Sequence, residues 1–150
     1  MTDPARPPLP SSRSLRPALA LLAGLGITVL IVFLGVTITT LAALRGVDPK
    51  AYVAPFWTYP THLLISALGA AAGGFATSRI TSGHSLFTTF VLALILLMSA
   101  LAPVLRGTPG GAGQPDWYPL ALAIASPIGA LLGGLLERRR GRGVPPPPSA

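Results

Sequence analysis

The side chains with the greatest capacity for chemistry in this chain are two histidines, His62 and His84. A neutral imidazole can accept a proton or ligate a metal near physiological pH. Their spacing limits both roles. Along a helix at about 1.5 Å per residue they stand roughly 33 Å apart, so one falls near each face of a bilayer and the two cannot share a site. A serine nucleophile needs an adjacent base, and neither histidine shares the depth of Ser99 in its apolar run. Ser126 precedes Pro127, where the hydroxyl is expected to bond a local carbonyl while the proline bends the helix. The acids Asp3, Asp48, Asp116 and Glu137 are scattered. Asp48 and Asp116 fall in connections on one side, where loop solubility accounts for them, and no cluster suits calcium or magnesium. With no cysteine, thiolate chemistry, disulfides and Cys-ligated zinc or iron-sulfur clusters are excluded. The glycine-rich stretch 107–113 lacks the GxxxxGK[ST] order of a phosphate cradle and reads as a linker. No catalytic, cofactor-binding or metal-ligating residue is assigned, and the expectation is a protein that is not an enzyme.

The elements that must position any other function follow from the solvent for which the chain is built. Of its 150 residues 51% are hydrophobic and 10% charged, against roughly one quarter charged in soluble domains. That is too little charge to cover a surface in water. The 17 glycines and 17 prolines do not signal disorder, because long apolar runs separate them. Residues 18–44 carry no charge and would make a helix of about 40 Å against a hydrocarbon core of about 30 Å, spanning with tilt. A cleaved signal peptide has an apolar core of only about 7–15 residues. A second span is expected over 60–78, opening at Pro60 where proline loses no helical hydrogen bond and stopped by Arg79. The third covers 86–105, the most aliphatic, and the fourth 117–136. The predicted fold is all-α, a polytopic bundle of four transmembrane helices. Residues 1–17 are expected to be a disordered lead, and 137–150 a basic, proline-rich tail.

The formal charge of +7 does not point to nucleic acid, since the basic residues sit at the ends of the apolar runs and suit anionic lipid headgroups. With both termini cytoplasmic, Arg6, Arg13, Arg16, Arg79, Arg138, Arg139, Arg140 and Arg142 lie inside, and Arg45, Lys50 and Arg106 outside. The inside-positive rule selects that orientation. Trp57, Tyr59, Trp117 and Tyr118 then share the outer interface as anchors. Arg138, Arg139, Arg140 and Arg142 contact lipid headgroups, each contributing about 1 kcal/mol.

The second and fourth spans resemble each other. Ser66 to Gly74 aligns with Ser126 to Gly134 at an offset of 60, as does Trp57 with Trp117, whereas Leu44-Arg45-Gly46 aligns with Leu105-Arg106-Gly107 at 61. Two crossings per unit make this a parallel repeat of helical hairpins rather than an inverted one, although any two membrane hairpins share basic, aromatic and small residues. Gly69 and Gly73, Gly129 and Gly133, and the adjacent Gly74 and Gly134 form small-residue faces on which helices approach closely. Gly24, Thr28 and Gly35 give the first span a similar face. The third span lacks one, and its Leu92, Leu94, Ile95, Leu96 and Leu97 are expected to face lipid or a partner.

At Gly73-Gly74-Phe75-Ala76-Thr77-Ser78-Arg79-Ile80, followed by His84, the chain resembles small uncharacterised four-helix bacterial integral membrane proteins, in which a Gly-Gly-aromatic run leads into a short basic link. The resemblance implies topology and no active residue. The abundance of Ala, Gly, Pro, Arg and Leu with one lysine also looks like coding from a high-GC bacterial genome, which places the chain in a bacterial cytoplasmic membrane. The expected function is that of a small accessory or scaffold subunit, packing through its glycine faces against a second copy or a larger membrane protein. The alternative is a small oligomeric carrier or channel for a neutral or hydrophobic solute, which needs no buried charge. Thr28, Thr39, Ser66 and Ser126 separate the two: facing an interhelical cavity they favour transport, and backed onto tightly packed helices they disfavour it.

Overall fold

The computed structural model describes residues 12–46, 53–81, 86–106 and 114–141. They form four α-helices, α1 (Ser12–Ala43), α2 (Thr58–Ile80), α3 (Leu86–Leu105) and α4 (Trp117–Gly141). Their apolar stretches of 29, 23, 20 and 24 residues reach about 44, 35, 30 and 36 Å. All are long and apolar enough to cross a hydrocarbon core of about 30 Å, so the chain is a multi-pass membrane protein. α1 begins at Ser12 rather than residue 18 and holds Pro17, which so near the helix start removes a single hydrogen bond. α4 continues beyond residue 136 through Glu137 and Arg138–Arg140, because nothing in that run breaks a helix and basic residues suit a helix C-terminus. His84, Asp48, the 107–113 linker, Arg142 and the proline run 145–148 lie outside the described residues.

α2 and α4 are the central pair. They run parallel, since Gly129 meets Ala67 and Gly133 meets Ala71. α1 lies antiparallel on α2, where Gly24 meets Thr77 and Gly35 meets Ile65. α3 lies antiparallel on α4, where Ala93 packs with Ala130 and Thr89 meets Gly134. The outer helices approach each other at the end of the bundle that carries Ser12 and Gly141, where Leu92 of α3 reaches Gly24.

Burial is inverted relative to a soluble domain. The interior holds Ala20, Ala70, Ala93, Ala123 and Ala130 together with Thr28, Ser66, Thr77, Ser78, Thr88, Thr89 and Ser126, while Leu22, Phe33, Ile38, Leu64, Phe90, Leu120 and Leu132 are exposed. Lipid tails are as apolar as leucine, so large side chains gain nothing by turning inward, and close approach of small ones holds the helices together. Thr77 ties α2 to α1 through the Ala20 carbonyl at 3.2 Å, sharing its hydroxyl with the Gly73 carbonyl of its own helix at 2.9 Å.

The two Gly-Gly pairs explain how α2 and α4 each pack on two neighbours. Adjacent helical residues point about 100° apart, so each pair serves two directions. Gly73 receives Thr28 and the backbone of Gly24 from α1, and Gly74 receives Ala130 of α4. On α4, Gly133 receives Ala71 of α2, and Gly134 receives Thr89 of α3. The contacts Thr28 to Gly73 and Thr89 to Gly134 are equivalent at an offset of 61, whereas the turns closed by Thr58 N–H on the Pro55 carbonyl and by Tyr118 N–H on the Pro115 carbonyl match at 60. The one-residue slip between the hairpins therefore changes which glycine of the pair receives the outer helix.

The third span does have a packing face, contrary to the sequence expectation. Leu92 does not face lipid: it is fully buried, with Thr88, Thr89 and Ala93, on a packing face of α3. Its fit against Gly24 supplies the reason, since a glycine leaves room for a leucine where two backbones are not in contact.

Candidate functional site: a groove between the first and third helices

Away from the Gly24 to Leu92 contact, α1 and α3 separate and leave a cavity of about 540 Å³. Its sides are Val29, Val32, Phe33 and Val36 of α1 and Leu96 and Ala100 of α3, and its floor comes from Ser66 of α2 and Leu122 and Ser126 of α4. Thr28, Thr37 and Ser99 complete the lining. A volume of this size lies within the roughly 300–1,000 Å³ of small-molecule sites. Phe33 and Val29 at the rim are 66% and 57% exposed, so the groove opens sideways onto the surface that lipid covers.

Of the hydroxyls that line the groove, those of Thr28 and Ser99 are engaged on their own helices and those of Ser66, Ser126 and Thr37 are not; outside it, the buried Thr58 and Thr89 hydroxyls also have no partner among the described residues. Thr28, Thr39, Thr77, Thr81 and Ser99 each donate to a carbonyl three or four residues back on their own helix, the usual resort of a hydroxyl in an apolar helix. Ser66 and Ser126 are 6% and 7% exposed and make no hydrogen bond among the described residues. Ser126 could bond a local carbonyl from its place before Pro127, but its hydroxyl makes no such bond among the described residues. Pro127 beside it has no N–H to offer the carbonyl of Ala123, which adds an acceptor without its helical donor near the same level of α4. At 1.5 Å per residue, Ser66 lies about 12 Å from the start of α2 and Ser126 about 14 Å from the start of α4. Both therefore fall close to the middle of a core about 30 Å thick.

His62 takes no part in the groove. It sits near the start of α2, and its Nε2 is 2.9 Å from Thr39 Oγ1 on α1. That threonine hydroxyl also lies 2.9 Å from the carbonyl of Gly35 and 3.0 Å from that of Val36. The contact joins α1 to α2, with its donor set by the imidazole tautomer. The pair is an interhelical clasp. Thr39→Val is expected to lower stability by about 0.6 kcal/mol, the average for a hydrogen bond between membrane helices, measured as the midpoint of detergent-induced unfolding. A shift larger than about 1.7 kcal/mol would exceed the range of such bonds and contradict this role.

The aromatic anchors divide. Trp57 and Trp117 are 49% and 42% exposed, whereas Tyr59 is buried. Tyr59 packs edge-on to Tyr118 at 5.4 Å between ring centroids, and Trp117 edge-on to Tyr118 at 6.1 Å. Tyr59 thus belongs to the seam between α2 and α4 rather than to the lipid interface. At the opposite end of the bundle Arg79, Arg138, Arg139 and Arg140 gather with Arg16, and the Arg140 guanidinium lies 5.7 Å from the Phe75 ring centroid, within reach of a cation–π contact.

No group of three or more His, Cys, Asp or Glu side chains comes together among the described residues. The chain is a small four-helix membrane protein without an evident catalytic or metal-binding group among those residues. Comparison with family models, with curated proteins and with solved structures returns no match to this chain.

Proposed function

We propose that this chain is a non-enzymatic membrane protein that holds a neutral, largely apolar solute in the groove between α1 and α3, as a small carrier or binding protein. The observation that carries the reading is that Ser66 and Ser126 line one cavity together with Thr28, although the Thr28 hydroxyl is bonded to the Gly24 carbonyl and Thr39 is engaged with His62. The absence of Asp, Glu, Lys and Arg from the middle of the spans agrees with an uncharged occupant, because an intramembrane charge is costly. The accessory or scaffold reading relied on glycine faces free to receive another chain. Gly24, Gly35, Gly69, Gly73, Gly74, Gly129, Gly133 and Gly134 all meet other helices of the same chain, which leaves that reading only the exposed aliphatic surfaces. The protein sits in a bacterial cytoplasmic membrane with Ser12 and Gly141 on the cytoplasmic side, the orientation favoured by the excess of arginine at that end.

The test is extraction. The protein, purified from its own membrane in mild detergent, is extracted with organic solvent, and the bound compounds are quantified by mass spectrometry against the bulk membrane. One narrow class of neutral compound, enriched over the membrane and lost when Val32→Trp and Leu96→Trp fill the groove, is the expected result. Bound compounds matching the bulk membrane in both proteins would overturn it. Stoichiometric recovery of a larger membrane protein would put the accessory reading in its place.

A further inference from the structure

The groove has direction and depth, and both restrict its occupant. Towards the Ser12 end it is closed by the fully buried Leu92 on Gly24 and by Thr77 bonded across to Ala20. Towards the other end it is lined on all four helices by residues lying in the half of each helix nearest Trp57 and Trp117. Its rim is apolar, with Val29 and Phe33 facing the lipid side. A path for water or ions across the membrane would need polar groups at both levels, and the closed half supplies none that open onto the cavity.

The two serines define what the occupant must offer. Each is more than nine-tenths buried and lines the cavity, and each hydroxyl proton is unengaged among the described residues. At mid-bilayer an unpaired donor finds a partner only within the protein or on a bound molecule. Acyl chains of bilayer lipids carry no acceptor at that depth. An ionic group there would be uncompensated, since no counter-charge lies in the lining.

We infer, on the reading that the groove holds a solute, that the ligand is a neutral lipid-soluble molecule carrying an oxygen acceptor within an apolar skeleton. It enters sideways between α1 and α3 from the leaflet next to Trp57 and Trp117. Its oxygen accepts from Ser66 and Ser126, and its apolar parts lie along Val32, Val36, Leu96 and Leu122. The site serves one leaflet and is not a pore.

The test uses the full chain in phosphatidylcholine vesicles with two photoreactive probes, a long-chain dialkyl ketone bearing a diazirine and the matching hydrocarbon without the carbonyl. Labelled residues are mapped by peptide mass spectrometry. The ketone is expected to label groove residues about threefold to tenfold more than the hydrocarbon, the ratio that one net hydrogen bond supplies. Ser66→Ala with Ser126→Ala should abolish the difference and leave hydrocarbon labelling unchanged. Equal labelling of the groove by both probes would overturn the acceptor inference while leaving the solute-binding reading intact. Labelling that continues past Leu92 to the Arg79 end would overturn the one-leaflet site. Labelling distributed over Leu64, Phe90 and Leu132 with no preference for the groove would overturn both the inference and the reading on which it rests.

Discussion

Gly133→Ala and Gly74→Ala should each destabilise the protein by about 1–3 kcal/mol, the range for overpacking a close contact. A Cβ built on Gly133 would lie 2.7 Å from the carbonyl carbon of Ala71, and one on Gly74 would lie 2.7 Å from that of Ala130. Both obstacles are backbone, which cannot rotate away as a side-chain tip can. The parallel helices α2 and α4 would have to move apart, and the packing that substitutes for a hydrophobic drive in lipid would weaken along their whole seam. Gly26 provides the control, because a Cβ there meets nothing within 4 Å. Gly26→Ala should be neutral or should stabilise by up to about 1 kcal/mol through helix propensity alone. The measurement is the midpoint of unfolding in mixed detergent, repeated over a tenfold dilution of protein. Loss of stability that does not depend on protein concentration is the expected result, because both glycines face their own chain. A loss that vanishes on dilution would assign these glycines to contacts between chains.

Leu92→Ala should be the costliest single change of a large side chain, at about 2–5 kcal/mol by analogy with buried leucines elsewhere. Leu92 is fully buried and is the largest such side chain among the described residues. It also reaches Gly24 across the line where α1 and α3 meet, so its removal opens the closed end of the groove as well as a cavity. Stability in mixed detergent should fall, and the space next to Gly24 should become reachable by small lipid-soluble probes that stop short of it in the native protein. An unchanged unfolding midpoint would mean that α1 and α3 do not depend on this contact. Leu92→Met, which conserves volume, should cost less than about 1.5 kcal/mol and separates loss of packing from loss of side-chain identity.

Length, apolar runs and the positions of arginine were enough to read four spans and an all-α bundle from the residues alone, because each property is local: a run of about 20 apolar residues must be helical in lipid whatever its neighbours are. α3 has the bounds predicted for it, whereas α1 and α4 extend into polar ends where no apolar signal marks a limit. The small-residue faces were also legible, since glycines four apart stand on one side of any helix. Their partners were not. Whether Gly73 meets a helix of its own chain or of another depends on where α1 lies, and spacing along one helix carries no information about the next.

The groove shows the same division. The hydroxyls of Thr28, Ser66, Ser99 and Ser126 can be named from the sequence as polar groups at depth, yet nothing in their local pattern shows that all four line one cavity, or that Thr28 and Ser99 bond their own helices while Ser66 and Ser126 do not. Val32, Leu96 and Leu122 read as ordinary lipid-soluble side chains and acquire a role only because α1 and α3 diverge. Leu92 looked like a lipid-facing residue for the same reason, since its environment is made by Gly24, which lies far away in the chain. The solvent, the four crossings and the lack of buried charge could be read from the residues, because these are sums over local composition. Which neighbour each glycine receives, where Tyr59 and Leu92 lie, and that Ser66 and Ser126 share one cavity follow only from the packed bundle, because those are relations between helices whose side chains meet only after it has formed.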